Sequence, residues 1–157
     1  MANHTWDYKI LKLSDLPKKA QRFIEIMEID TSDLMLMQLT PCPDGEFIKS
    51  FHYPPDRKCV AIAEYSSIYF FGDYKKARTA IHELAHIYFT QARFFKGIEY
   101  DFKAIAENFI AQRGRNTLTN YAQVSIYENA WEEVVCEIIA THGSKGQFNK
   151  IKKLLNQ

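Results

Sequence analysis

A glutamate sits beside the first of two histidines four residues apart in His82-Glu83-Leu84-Ala85-His86, and this pattern carries the clearest chemistry in the chain. On a helix, positions i and i+4 share a face, so the two imidazoles point the same way. Imidazoles one turn apart can hold one zinc ion, each at about 2.0–2.1 Å. Glu83 lies one step round the helix. There it can take a proton from a metal-activated water without displacing a ligand. The flanking Thr79-Ala80-Ile81 and Ile87-Tyr88 are uncharged, as a buried active-site helix requires. The plainer alternative is a helix whose histidines are satisfied by ordinary hydrogen bonds.

A catalytic zinc usually has three protein ligands and one open position. The extension that would add a third histidine within the same segment needs a glycine at Phe89 and a histidine at Ala92, and has neither. Glu133, in Trp131-Glu132-Glu133-Val134-Val135-Cys136-Glu137, is the leading candidate. Glu133 and Glu137 are i,i+4 on one face. One can bind the metal while the other, Glu137, holds a ligand histidine through its second nitrogen. Trp131, Val134, Val135 and Ile138 form a bulky apolar stripe. Ala130, Glu133, Cys136, Glu137 and Ala140 form a smaller acidic side that allows close approach to the histidine helix. A solvated acidic face is the competing reading. Glu132, Glu107 and His142 stay open as rival ligands. Glu107 follows His86 by 21 residues, but lies opposite its own helix's apolar face.

These groups must be positioned by a fold. Ser14-Asp15-Leu16-Pro17 reads as a helix start, with the helix ending near Asp30. Residues 34–40, 47–53, 58–63 and 67–71 read as strands, separated by Pro, Gly and Asp turns. Asp73 is placed to cap the histidine-bearing helix. Ile98, Phe102, Ile105, Ala106 and Phe109 mark a further helical face that Gly114 ends. Residues 115–120 read as a polar loop, and a third helix runs from about Glu128 to Thr141 with Gly143 as its stop. Residues 147–155 form a short, basic amphipathic terminal helix. The expectation is an α+β, zincin-like fold in one domain over residues 1–157. Its small, mostly antiparallel sheet of about four strands precedes the histidine helix and a helical C-terminal half.

With 46% apolar and 14% aromatic residues, 157 residues can build a core. A net charge of +1 argues against nucleic acid as a partner. No leader-like segment opens the chain and no apolar run approaches bilayer length, so a cytoplasmic protein with no membrane partner is expected. The three cysteines, Cys42, Cys59 and Cys136, are odd in number and form no CxxC, which fits free thiols in a reducing compartment.

The His82–His86 motif followed by a distant Glu133-x-x-x-Glu137 helix resembles the gluzincin group of zinc metallopeptidases. Glu132-Glu133-Val134-Val135-Cys136-Glu137 resembles a segment of antirestriction-type metallopeptidases of phages and mobile elements. Tyr121-Ala122 followed by Glu133 and Glu137 resembles the catalytic domain of anthrax lethal factor and its small secreted relatives, although the tyrosine–glutamate distance differs. The resemblance implies Zn2+ held by His82, His86 and Glu133, with Glu83 as general base in hydrolysis of a protein or peptide substrate. An oxyanion donor is then needed, and Tyr121 or Tyr127 can supply a phenol. The 67–71 strand is a candidate edge for an extended peptide. The alternative is an inactive or regulatory zincin-fold module that binds a host or DNA-processing protein.

Overall fold

The computed structural model describes residues 7–40, 61–64, 66–71 and 74–156. Within these, the chain is α+β, with one small sheet and a larger helical part. Strand β1 (Asp7–Leu11) leads through a single 3-10 turn into helix α1 (Lys18–Ile26). Ala20, Phe23 and Ile24 recur at helical spacing on the buried face of α1. The helix ends earlier than the expected Asp30, because Glu28 turns the chain with φ 54°.

Strands β2 (Met35–Thr40), β3 (Ala61–Glu64) and β4 (Ser67–Phe71) complete a sheet of order β1-β2-β4-β3. The β1–β2 and β3–β4 pairs are antiparallel, and β2–β4 is parallel. The sequence did not signal β1, where Tyr8 and Ile10 are exposed and Leu11 is buried. The expected 47–53 strand lies outside the described residues, as do Asp73, Cys42 and Cys59. Of the expected 58–63 strand, residues 61–63 fall in β3, and 58–60 lie outside the described residues. The 67–71 strand is β4, hydrogen-bonded on both sides, so it cannot be the free edge. Among the described residues that role falls to β1 and β3. Ile68 and Phe70 of β4 are fully buried, which fits an interior strand.

Helix α2 (Ala77–Lys96) carries the two histidines and packs against β3. It starts after Lys76 and ends at Gly97, whose φ of 64° lets the Ile98 N–H bond back to the Ala92 carbonyl at 3.0 Å. Helix α3 (Phe102–Arg113) is capped by Asp101 and stopped by Gly114 at φ 87°, as the sequence indicates.

The expected third helix, about Glu128 to Thr141, starts and ends three residues later, and a helix the sequence did not signal precedes it. Helix α4 (Asn120–Tyr127) begins at the last residue of the expected polar loop, with Thr119 accepting the Ala122 N–H. Asn129, at φ 58°, then breaks the chain before helix α5 (Trp131–Ser144). Helix α6 (Phe148–Leu155) follows, burying Ile151 and Leu154.

Helix α5 is the centre of the helical part. Residues Val134 through Ala140 are all buried, and α5 packs on α1, α2, α3, α4 and α6. Both its bulky stripe and its small acidic side are therefore interior. Gly143 does not stop this helix. A Cβ there would stand 3.0 Å from both Cδ1 and Cγ2 of Ile81, so the glycine serves the close packing of α5 on α2.

Candidate metal centre

The close packing of α2 and α5 brings His82, His86, Glu132, Glu133 and Glu137 into one group. Glu133 lies between the two imidazoles. Its Oε2 is 2.8 Å from His82 Nε2, and its Oε1 is 3.0 Å from His86 Nε2. Each ring turns its other nitrogen to a different carboxylate. His82 Nδ1 is 3.3 Å from Glu137 Oε2, and His86 Nδ1 is 2.5 Å from Glu132 Oε2. Ligand atoms of His82, His86 and Glu133 all lie within 4.8 Å of one another, a spacing that can hold a metal ion.

The sequence rivals separate clearly. Glu132 is in the group, but it meets the Nδ1 side of His86, with Cys136 on the same side. Glu107 is exposed on α3 and faces Lys103 at 3.8 Å. His142 is buried farther along α5, where its Nδ1 pairs with the Gln147 carboxamide oxygen at 3.1 Å. Neither Glu107 nor His142 reaches the histidine pair.

The two tyrosines also separate. Tyr121 donates its phenol O–H to Glu133 Oε2 at 2.9 Å, and its ring stands edge-on to His82 with centroids 5.5 Å apart. Tyr127 is 86% exposed. Six residues of helix rotate it by about 240° from Tyr121, onto another face. The expectation of Tyr127 as an oxyanion donor beside this group is corrected by that geometry. Its side chain makes no hydrogen bond or ring contact among the described residues.

Arg78 is the participant that sequence reading passed over. It donates through Nε to Glu137 Oε1 at 2.7 Å, with its terminal nitrogen at 2.6 Å. A signal was available, because Arg78, His82 and His86 are spaced by four along one face of α2. Glu83 is buried, with Oε1 4.0 Å from His82 Nε2, and the Ala63 backbone N–H of β3 hydrogen-bonds its carboxyl.

The electrostatics follow from these contacts. Burial alone would lower the His82 pKa. Hydrogen bonds to Glu133 and Glu137, with the nearby Glu83 charge, outweigh it and raise the value to about 9. His86 rises well above its ordinary value despite burial, through Cys136, Glu132 and Glu133. Glu133 and Glu137 resist the upward push of burial because histidine partners hold their charged forms, with Arg78 assisting Glu137, and both are lowered. Glu83 moves the other way, with burial as the chief cause. Burial likewise pushes the Cys136 thiol up to about 12. Both imidazoles thus favour their charged forms among these carboxylates.

That arrangement suits a divalent cation. Glu133 faces Nε2 of both His82 and His86. Exchange of one proton from each charged ring for one doubly charged ion would conserve charge and leave three donors facing it. The Nδ1 contacts to Glu137 and Glu132 would stay, as metal-ligating histidines require. In comparisons with known proteins, the chain matches no family model, no curated protein and no solved structure.

Proposed function

We propose that this protein is a zinc-dependent metallopeptidase of gluzincin type on a zincin-like fold. One observation carries the reading. The Nε2 atoms of both helix-borne histidines converge on the two oxygens of Glu133, while both Nδ1 atoms are already engaged by other carboxylates. His82, His86 and Glu133 would hold the ion, which supplies a Lewis acid able to lower the pKa of a water toward about 7.

The chain's own residues supply the rest. Glu83 stands beside His82 and takes the proton of the attacking water, then returns it to the leaving amine. A carboxyl whose pKa burial has raised is suited to both steps. The Ala63 N–H fixes that carboxyl from the sheet side. Tyr121 can release Glu133 and turn its phenol toward the developing oxyanion. Glu137 and Glu132 orient the rings, and Arg78 holds Glu137. Strand β3 lies at the edge of the sheet among the described residues and touches Glu83 through Ala63, so an extended peptide laid along it would pass the group.

A regulatory module that holds metal without catalysis has no need of a buried carboxyl at this position. Placement of Glu83 therefore favours the enzyme. The test is proteome-wide labelling of new N-termini with wild type and Glu83→Gln. Termini that appear with wild type and vanish with Glu83→Gln support the reading. Identical profiles from the two proteins, with zinc bound in both, would refute it.

A further inference from the structure

A second concave site lies on the other side of Glu137. It is a cavity of about 180 Å³ between the C-terminal end of α3, the start of α4, the last turns of α5 and the start of α6. Arg113, Lys145 and Lys150 stand around it, with His142 in its wall. An adjoining hollow adds Lys153. Arg113, Lys145, Lys150 and Lys153 make no ion pair among the described residues.

The one carboxylate in the wall does not offset this charge. Glu137 has one oxygen on Arg78 and the other on His82. Gln147, the N-terminal cap residue of α6, lines the cavity, and its carboxamide oxygen is engaged by His142 Nδ1 at 3.1 Å. The positive field at the cavity is therefore that of the side chains. The His142 side chain reports the same field. Burial lowers its pKa first, and Lys150, Arg113 and Lys145 push it down further.

We propose that this cavity is an anion site for a small ligand carrying a phosphate group, gripped by Arg113, Lys145 and Lys150. The volume admits a phosphate together with a small group attached to it. The Arg113 guanidinium lies 5.8 Å from the Phe109 ring centroid, which holds it toward the cavity it shares with that ring. Binding here does not depend on the peptidase reading.

Inorganic phosphate and pyrophosphate, titrated calorimetrically at constant ionic strength with chloride as reference and a metal chelator present, test the site. Adenosine monophosphate forms a third arm that separates a free phosphate from a nucleotide source. The expected result is saturable binding of phosphate or pyrophosphate, weakened about tenfold or more in Lys150→Ala and in Arg113→Ala, since a charge-assisted contact is lost in each. Lys103→Ala removes the same charge elsewhere and should bind as wild type does. Arg113→Lys keeps the charge and tests whether loss comes from charge or from misfolding. Absence of saturable binding, binding that matches chloride, or binding unchanged in both alanine variants would overturn the proposal.

Discussion

Replacing Glu137 by glutamine isolates what the carboxylate behind His82 contributes. Glu137 serves two donors at once, with Arg78 on Oε1 and His82 Nδ1 on Oε2. A glutamine has one oxygen for these two partners and presents N–H to the other. Arg78 is half exposed and can turn to water, whereas His82 is buried and cannot. The amide oxygen should therefore face His82, which keeps a neutral hydrogen bond and loses the charged one. The difference between the two is about 1–1.5 kcal/mol, or about tenfold in metal affinity. Alanine removes the acceptor altogether and should approach about 100-fold, the upper end for a residue that orients a ligand histidine. Arg78→Ala should cost less than either, because its exposed charge is screened. Competition titration of zinc against a chromogenic chelator reads all three, with circular dichroism as a check on folding. An affinity for Glu137→Gln equal to wild type refutes the orienting role. So does complete loss of zinc while Glu133→Ala still binds, since Glu137 would then be the ligand.

Two further outcomes follow from the same contacts. In chelator-treated protein, the His82 pKa is raised from 6.5 to about 9, so its contribution is fully present below pH 6.5 and is lost as pH rises through about 9. Taken alone it amounts to on the order of 3 kcal/mol. Glu133 and Glu137 are lowered from 4.5 and contribute above that value, with loss as pH falls. The metal-free protein should thus be most stable between about pH 4.5 and 6.5 on these groups, and the gain on adding zinc should grow from pH 6.5 to 9. Thermal unfolding across pH checks this, and a zinc gain that shrinks toward pH 9 contradicts it. Tyr121→Phe should lower kcat by about 10²-fold if the phenol meets the oxyanion, while Tyr127→Phe, at an exposed position, should leave kcat unchanged. Equal effects of the two changes in a peptidase assay would remove Tyr121 from the chemistry.

The group around the histidines was legible in sequence because two i,i+4 patterns, His82–His86 and Glu133–Glu137, each define a face without knowledge of the fold. Placing those faces together required only that α5 be able to approach α2. The register along α5 was less legible. Glu132 stayed open as a rival to Glu133 because a register error of one residue is easy, yet the two differ by about 100° on the helix and meet opposite nitrogens of His86. Helix α4 escaped because its buried residues are only Ala122 and Ser125, so no apolar spacing marks it, and no Gly or Pro marks the break that follows. Asn129 makes the turn at φ 58°, which asparagine tolerates better than most residues. Gly143 misled for the converse reason, since its small size answers to Ile81 across the helix pair rather than to a helix end. Strand β1 was hidden because an edge strand pairs on one side only, and Tyr8 and Ile10 stand exposed where an alternating pattern would bury them. The Ala63 contact to Glu83 uses a backbone N–H, to which side-chain patterns are blind.

Native mass spectrometry of zinc-reconstituted protein tests the central claim most directly, run on wild type, Glu83→Gln and Glu133→Ala. The account predicts about one zinc per chain in wild type and in Glu83→Gln, and none retained in Glu133→Ala under the same dialysis. Wild-type protein that takes up no zinc, or Glu133→Ala that keeps it as firmly as wild type, would contradict it.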